Sequence, residues 1–141
     1  MKKFIWLICA FGLALQPVAA HQQFQPQVEV VAKTTKSWDG DNLPAYPEGQ
    51  PEITILRIII PPKVQLPLHY HPVINAGVLL KGQLTVITKD KKRLDLKAGD
   101  SIVELVNKWH NGRNEGDDPA EIIVFYAGTV DEKITVIGDK K

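Results

Sequence analysis

The sequence predicts an all-β domain, a sandwich or small barrel, behind a secretory leader. Three observations lead there. Short β-rich runs recur from Val28 onward, each closed by a Pro, Gly or Asx turn. No amphipathic helical period interrupts them. A chain of 141 residues, 44% hydrophobic and 23% charged, suits one globular domain and is too short for two ordinary ones.

The leader comes first. Lys2 and Lys3 open the chain, Phe4 to Leu15 is apolar, and Val18 and Ala20 occupy the small-residue positions of a cleavage site. That pattern predicts a signal peptide over residues 1–20, cut after Ala20, and a periplasmic or secreted protein. The apolar run is too short to span a bilayer comfortably. Cys9 lies inside that run, so it is not placed for lipid attachment. With residues 1–20 removed, 15 basic and 16 acidic residues remain, a net charge of −1. Such a balance attracts neither nucleic acid nor an anionic membrane. The single cysteine leaves with the leader, so the mature chain has no thiolate nucleophile.

Beyond the leader, residues 21–52 read as an N-terminal strand and a Pro/Gly-rich loop. Val28 to Ala32 is the strand. Residues 34–52 carry Gly40, Pro44, Pro47, Gly49 and Pro51 and stay irregular. The barrel spans 53–137. Ile53 to Ile60 is β-branched and apolar and reads as a central strand, stopped by Pro61-Pro62 because proline cannot donate to a ladder. Leu66 to Leu80 carries two histidines, and Lys81-Gly82 turns the chain. Leu84 to Thr88 and Arg93 to Leu96 form a hairpin around Asp90-Lys91-Lys92, a solvated basic tip rather than a binding patch. Ala98-Gly99-Asp100 turns again. Ser101 to Val106, Ile122 to Tyr126 and Ile134 to Ile137 complete the strands.

The chemistry concentrates in histidine. The mature chain has four, and three stand in strand-like sequence. His69 and His71 are two apart, so in a strand they share a face, roughly 7 Å apart at the backbone. Two imidazoles at that separation can lean onto one ion. His110 follows 39 residues later, past two turns, and a barrel can bring it alongside. Tyr70 and Trp109 should face away by alternation. His21 would start the mature chain, but one histidine beside Gln22-Gln23 is better read as chance. No serine, cysteine or lysine nucleophile with a positioned base is visible, and no phosphate-cradling glycine loop.

The spacing around these histidines resembles the two motifs of the cupin superfamily. The first runs His-x-His, three or four residues, an acidic ligand position, six residues, Gly. Here it reads His69-Tyr70-His71-Pro72-Val73-Ile74-Asn75 and, six residues on, Gly82. The second runs Gly, five residues, Pro-x-Gly, two residues, His, three residues, Asn. Here it reads Gly99, then Leu105-Val106-Asn107, then His110 and Asn114. The resemblance covers about Ile53 to Val136 and is most similar to small exported single-domain cupins. It implies a double-stranded β-helix, or jelly-roll barrel, that holds one divalent transition metal in its mouth through His69, His71 and His110. It also makes a homodimer plausible.

The departures are informative. Asn75 replaces the glutamate ligand, so it is either a weak neutral fourth ligand or a residue that orients a histidine or a water. Three neutral nitrogens would leave about two positive charges on the site, which would favour an anionic small molecule. Lys63 replaces the first-motif glycine. Leu105 and Asn107 replace the Pro and Gly of the second, and Asn107 tolerates a left-handed backbone. Asn114 should brace its loop. Arg113 and Asn114 are candidate substrate-binding residues, with Arg113 offering a guanidinium to a carboxylate, although a surface role suits it as well. Trp38 and Tyr46, in the long loop, are candidates for a plug at one end of the barrel or a lid over its mouth. Nitrogen donors suit zinc, iron, nickel, copper or cobalt better than magnesium or calcium, and manganese stays open.

Three functions compete at this point. One is a metal-dependent, dioxygenase-like enzyme acting on a small molecule. Another is a non-catalytic metal or small-ligand binding module. The third is a structural barrel without its site. Fold alone does not choose among them.

Overall fold

The computed structural model describes residues 25–138. The leader at residues 1–20, Cys9 and His21 lie outside the described residues. Nine strands occur among those residues: β1 (Pro51–Ile60), β2 (His69–Tyr70), β3 (Ile74–Lys81), β4 (Gln83–Thr88), β5 (Arg93–Lys97), β6 (Ser101–Val103), β7 (His110–Arg113), β8 (Ala120–Thr129) and β9 (Val136–Ile137). They form two antiparallel sheets, ordered β1-β8-β3-β6 and β5-β4-β7-β2-β9. This is the all-β jelly roll that the strand pattern predicts. No helix is long and apolar enough to cross a membrane among the described residues.

The core lies between the sheets because alternate residues of each strand point inward. Ile60, Leu79, Ile122, Val124 and Tyr126 from one sheet meet Leu84, Val86 and Leu96 from the other. β1 pairs along its whole length with β8, from Pro51 opposite Thr129 to Ile60 opposite Ala120. Yet β1 is an edge strand, not a central one. Its isoleucines on both faces gave it strong β-propensity, but propensity does not report how many neighbours a strand has. Leu56, Ile58 and Ile60 face in, while Ile53, Ile55 and Ile59 are more than half exposed.

Two other readings change. Residues 28–32 form no strand, and Val28, Val30 and Val31 are exposed. A β-branched run needs a partner edge to become a strand, and this one has none among the described residues. The segment from Ser101 stays in strand only to Val103. Past that point the chain leaves the sheet. Glu104 N–H donates to Asn75 O at 3.0 Å and Asn107 N–H to His71 O at 2.8 Å. Val106 bridges His71 in parallel. Asn107 turns the chain at φ 56°, the left-handed geometry that asparagine tolerates in place of glycine. Residues 104–107 therefore cross beside the histidines rather than continuing an edge.

At the β3–β4 turn, Gly82 has φ +72° and a Cβ there would lie 2.7 Å from Pro119 O. Only glycine fits that backbone and that approach.

Candidate metal centre

Strand pairing brings the three histidines together. His69 of β2 stands directly opposite His110 of β7. β7 was not legible as a strand, because His-Asn-Gly-Arg carries no β-rich alternation. It is held by its neighbours, with β4 on one side and β2 on the other. His71 follows two residues after His69 and turns the same way. The ring centroids are 4.5 Å apart for His69–His110, 5.0 Å for His69–His71 and 5.1 Å for His71–His110. Tyr70 and Trp109 turn to the opposite side, where their rings meet edge to face at 4.8 Å.

The hydrogen bonds set the tautomers. Nδ1 of His69 donates to Pro67 O at 2.7 Å, Nδ1 of His71 to Ile134 O at 2.8 Å, and Nδ1 of His110 to Lys108 O at 2.8 Å. A carbonyl only accepts, so each Nδ1 carries the proton. Each neutral ring is left with a lone pair on Nε2. One ligand nitrogen from each ring lies within 4.8 Å of the others. Burial holds all three imidazoles below their ordinary pKa, His71 down to about 4. At neutral pH they are therefore uncharged and competent to coordinate.

The site also contains polar atoms without partners. His110 Nε2 and Asn75 Oδ1 are buried and make no hydrogen bond. Buried polar atoms are normally satisfied, and two orphans beside converging lone pairs fit a cation. The residues present thus suit a divalent transition metal, with His69, His71 and His110 as nitrogen donors. Asn75 is 1% exposed, and its Nδ2 makes only a long bond to Val73 O at 3.4 Å.

A cavity of about 240 Å³ opens beside the rings. Its polar lining includes His69, His71, Asn75 and Glu104, and the remainder is chiefly aliphatic, with Leu56 and Val124 in its wall. Glu104 is the residue that sequence reasoning missed. It falls among the five unspecified positions between Gly99 and Leu105, and no spacing rule singles it out. Its Oε2 lies 3.6 Å from His110 Nε2. Burial pushes its carboxyl up to about 7.

Other candidates lie elsewhere. Arg113 is three residues from His110 in β7 and so takes the opposite face. It pairs with Glu115 and flanks a surface recess with Lys63 and Gln65, away from the histidine cavity. Asn114 is also off the cavity. It is buried and braces its loop, donating to Ile60 O at 3.0 Å and Asp118 O at 2.7 Å and accepting from Gly116 N–H at 2.9 Å. Neither residue lines the histidine cavity, and the bracing role of Asn114 and the surface role of Arg113 fit these positions. Trp38 packs against the core as a plug would, whereas Tyr46 is 77% exposed and is neither plug nor lid.

This fold and this histidine cluster define a β-barrel with three histidines placed where they could hold one metal ion. A cupin domain family model matches residues 56–126, just over half of the chain, and the chain belongs to that family. Solved structures with the same fold include an oxalate oxidase in complex with the substrate analogue glycolate. It is 24% identical over 60% of this chain and 45% of that one, with a TM-score of 0.51. A DMSP lyase from Ruegeria pomeroyi is 20% identical over 60% of this chain and 42% of that one, with a TM-score of 0.53. A cupin-like protein from Thermotoga maritima is 16% identical over 62% and 65%, also with a TM-score of 0.53. The chain thus spans less than half the length of the first two. At these identities the likeness concerns the fold. No curated protein matches the chain.

Proposed function

We propose that this chain is an exported metal-binding cupin that acts on a small molecule with an apolar body and one anionic head group. The observation that carries this reading is the tautomer pattern. Three Nδ1–H groups are committed to backbone carbonyls, which leaves three Nε2 lone pairs on rings whose ligand atoms lie within 4.8 Å of one another. Satisfied core histidines would have partners on both nitrogens, and His110 Nε2 has none. When bound, a divalent transition metal supplies Lewis acidity, and iron would add dioxygenase-like redox capacity.

The chain's own residues do the rest. The three carbonyl bonds fix the ring planes before any ligand arrives, which lowers the ordering cost of binding. The aliphatic wall takes the ligand's apolar body and excludes water. The cavity lining contains no lysine or arginine, so an anionic head group would find its countercharge at the metal end. An oxidase seen with glycolate and a lyase share this fold, so the architecture accommodates catalysis as well as binding.

The test is metal analysis of protein recovered from the export compartment. Calorimetric titration of small carboxylates and thiols follows, with and without metal, together with oxygen uptake by iron-loaded protein. The reading expects one equivalent of transition metal, an N-terminus at His21 and ligand affinity that depends on metal. Metal-dependent binding without turnover would instead identify a binding module. Metal-free protein with intact fold would refute both.

A further inference from the structure

Replacing the family's glutamate by Asn75 leaves a metal centre without its carboxylate, unless another residue supplies one. We infer that Glu104 is that residue, and that it is a fourth protein ligand reaching the metal from the β6–β7 connection. The inference rests on the reading of the histidine triad as a metal centre.

Four observations carry it. Glu104 Oε2 is 3.6 Å from His110 Nε2, the nitrogen left without a partner. Glu104 lines the same cavity as His69, His71 and Asn75. Its backbone N–H is bonded to Asn75 O at 3.0 Å, so the two positions are neighbours across the sheet edge. A carboxylate at 104 therefore enters the pocket beside the place the family reserves for one at 75. Finally, its side chain is only 12% exposed, and among the described residues it has no lysine or arginine partner. Its hydrogen-bond partners are neutral: Leu105 N–H, at a long 3.4 Å, and the Trp38 side chain. A buried carboxylate with no cation is costly to keep. A divalent ion bound by the three histidines would be its missing counter-ion.

The exchange of positions changes the site's charge. Three imidazoles and Asn75 alone would leave two positive charges, whereas Glu104 coordinated lowers that to one. A monoanionic head group would then neutralise the centre. The ligand class is accordingly narrowed from anions in general to small monoanions.

Zinc and cobalt titrations of the chelator-stripped chain test this without any assay of turnover. Glu104→Gln should weaken Zn²⁺ binding by more than about 100-fold, beyond what loss of an outer hydrogen-bonding group costs. It should also alter the visible absorption of the Co²⁺ form. Asn75→Ala, which removes only a neutral oxygen, should change the Co²⁺ spectrum less than Glu104→Gln does. A Glu104→Gln protein that binds Zn²⁺ within tenfold of the parent and keeps its Co²⁺ spectrum would overturn the inference. So would the reverse pattern, with Asn75→Ala changing the spectrum in its place. Failure of the parent chain itself to bind either ion sinks the histidine reading, a distinct result. Circular dichroism checks folding, and Glu104→Ser provides the same readout should the glutamine variant not fold.

Discussion

Asn114→Ala is the perturbation whose cost the structure states most directly. The side chain is 1% exposed and makes three hydrogen bonds, to Ile60 O, Asp118 O and Gly116 N–H. It ties the end of β1 to the turn that leads into β8. Each such bond contributes about 1 kcal/mol net, and a buried group left unpaired costs at the upper end of that range. Ile60 is buried, so its carbonyl cannot turn to water, while Asp118 is exposed and its carbonyl can. The expected loss is roughly 3 kcal/mol, a large share of the stability of a domain this size. Urea unfolding of the metal-free protein at pH 7 should show a lower midpoint with an unchanged slope. Zn²⁺ affinity should stay within a few-fold, because Asn114 does not touch the histidine cavity. A stability loss below about 1 kcal/mol, or a tenfold loss of Zn²⁺ affinity, would refute the bracing role.

Further predictions concern charge and backbone. In the metal-free protein His71 is held down to about 4 from 6.5, so its contribution to stability is complete above pH 6.5 and is lost as pH falls towards 4. Glu104 is raised to about 7 from 4.5, so its contribution is complete below pH 4.5 and is lost as pH rises towards 7. The two slopes oppose each other. Removing one by Glu104→Gln should steepen the acid loss between pH 7 and 4.5 by about 3 kcal/mol, read from urea midpoints, and parallel profiles would contradict it. Gly82→Ala combines a positive φ with a Cβ 2.7 Å from Pro119 O, so it should cost at least about 2 kcal/mol by thermal unfolding.

The strand inventory was largely legible in advance because period-two patterning is local. Pro61-Pro62, Lys81-Gly82 and Ala98-Gly99-Asp100 end strands by their own backbone limits, wherever the strands go. The errors share one cause. β1 was misplaced in its sheet, residues 28–32 found no partner, and β7 formed without any β-rich pattern. Each depends on what lies across the ladder, which no window of residues reports. That Arg113 turns away from the histidines follows from the alternation of β7, which nothing near it in the chain reveals.

Histidine spacing by itself determined that His69 and His71 share a face, and left His110 as a third ring that a barrel could bring alongside. Residue type determined that their chemistry is nitrogen coordination. What only the tertiary structure decided is the state of those rings and the company they keep. The carbonyls of Pro67, Lys108 and Ile134 choose the tautomers, and Ile134 lies 63 residues from the ring it holds. Glu104 became part of the site because the chain leaves β6 and crosses over to His71. Side-chain identity is written residue by residue, but a shared proton or a shared ion needs a distance of a few ångströms, and distance exists only in the folded chain.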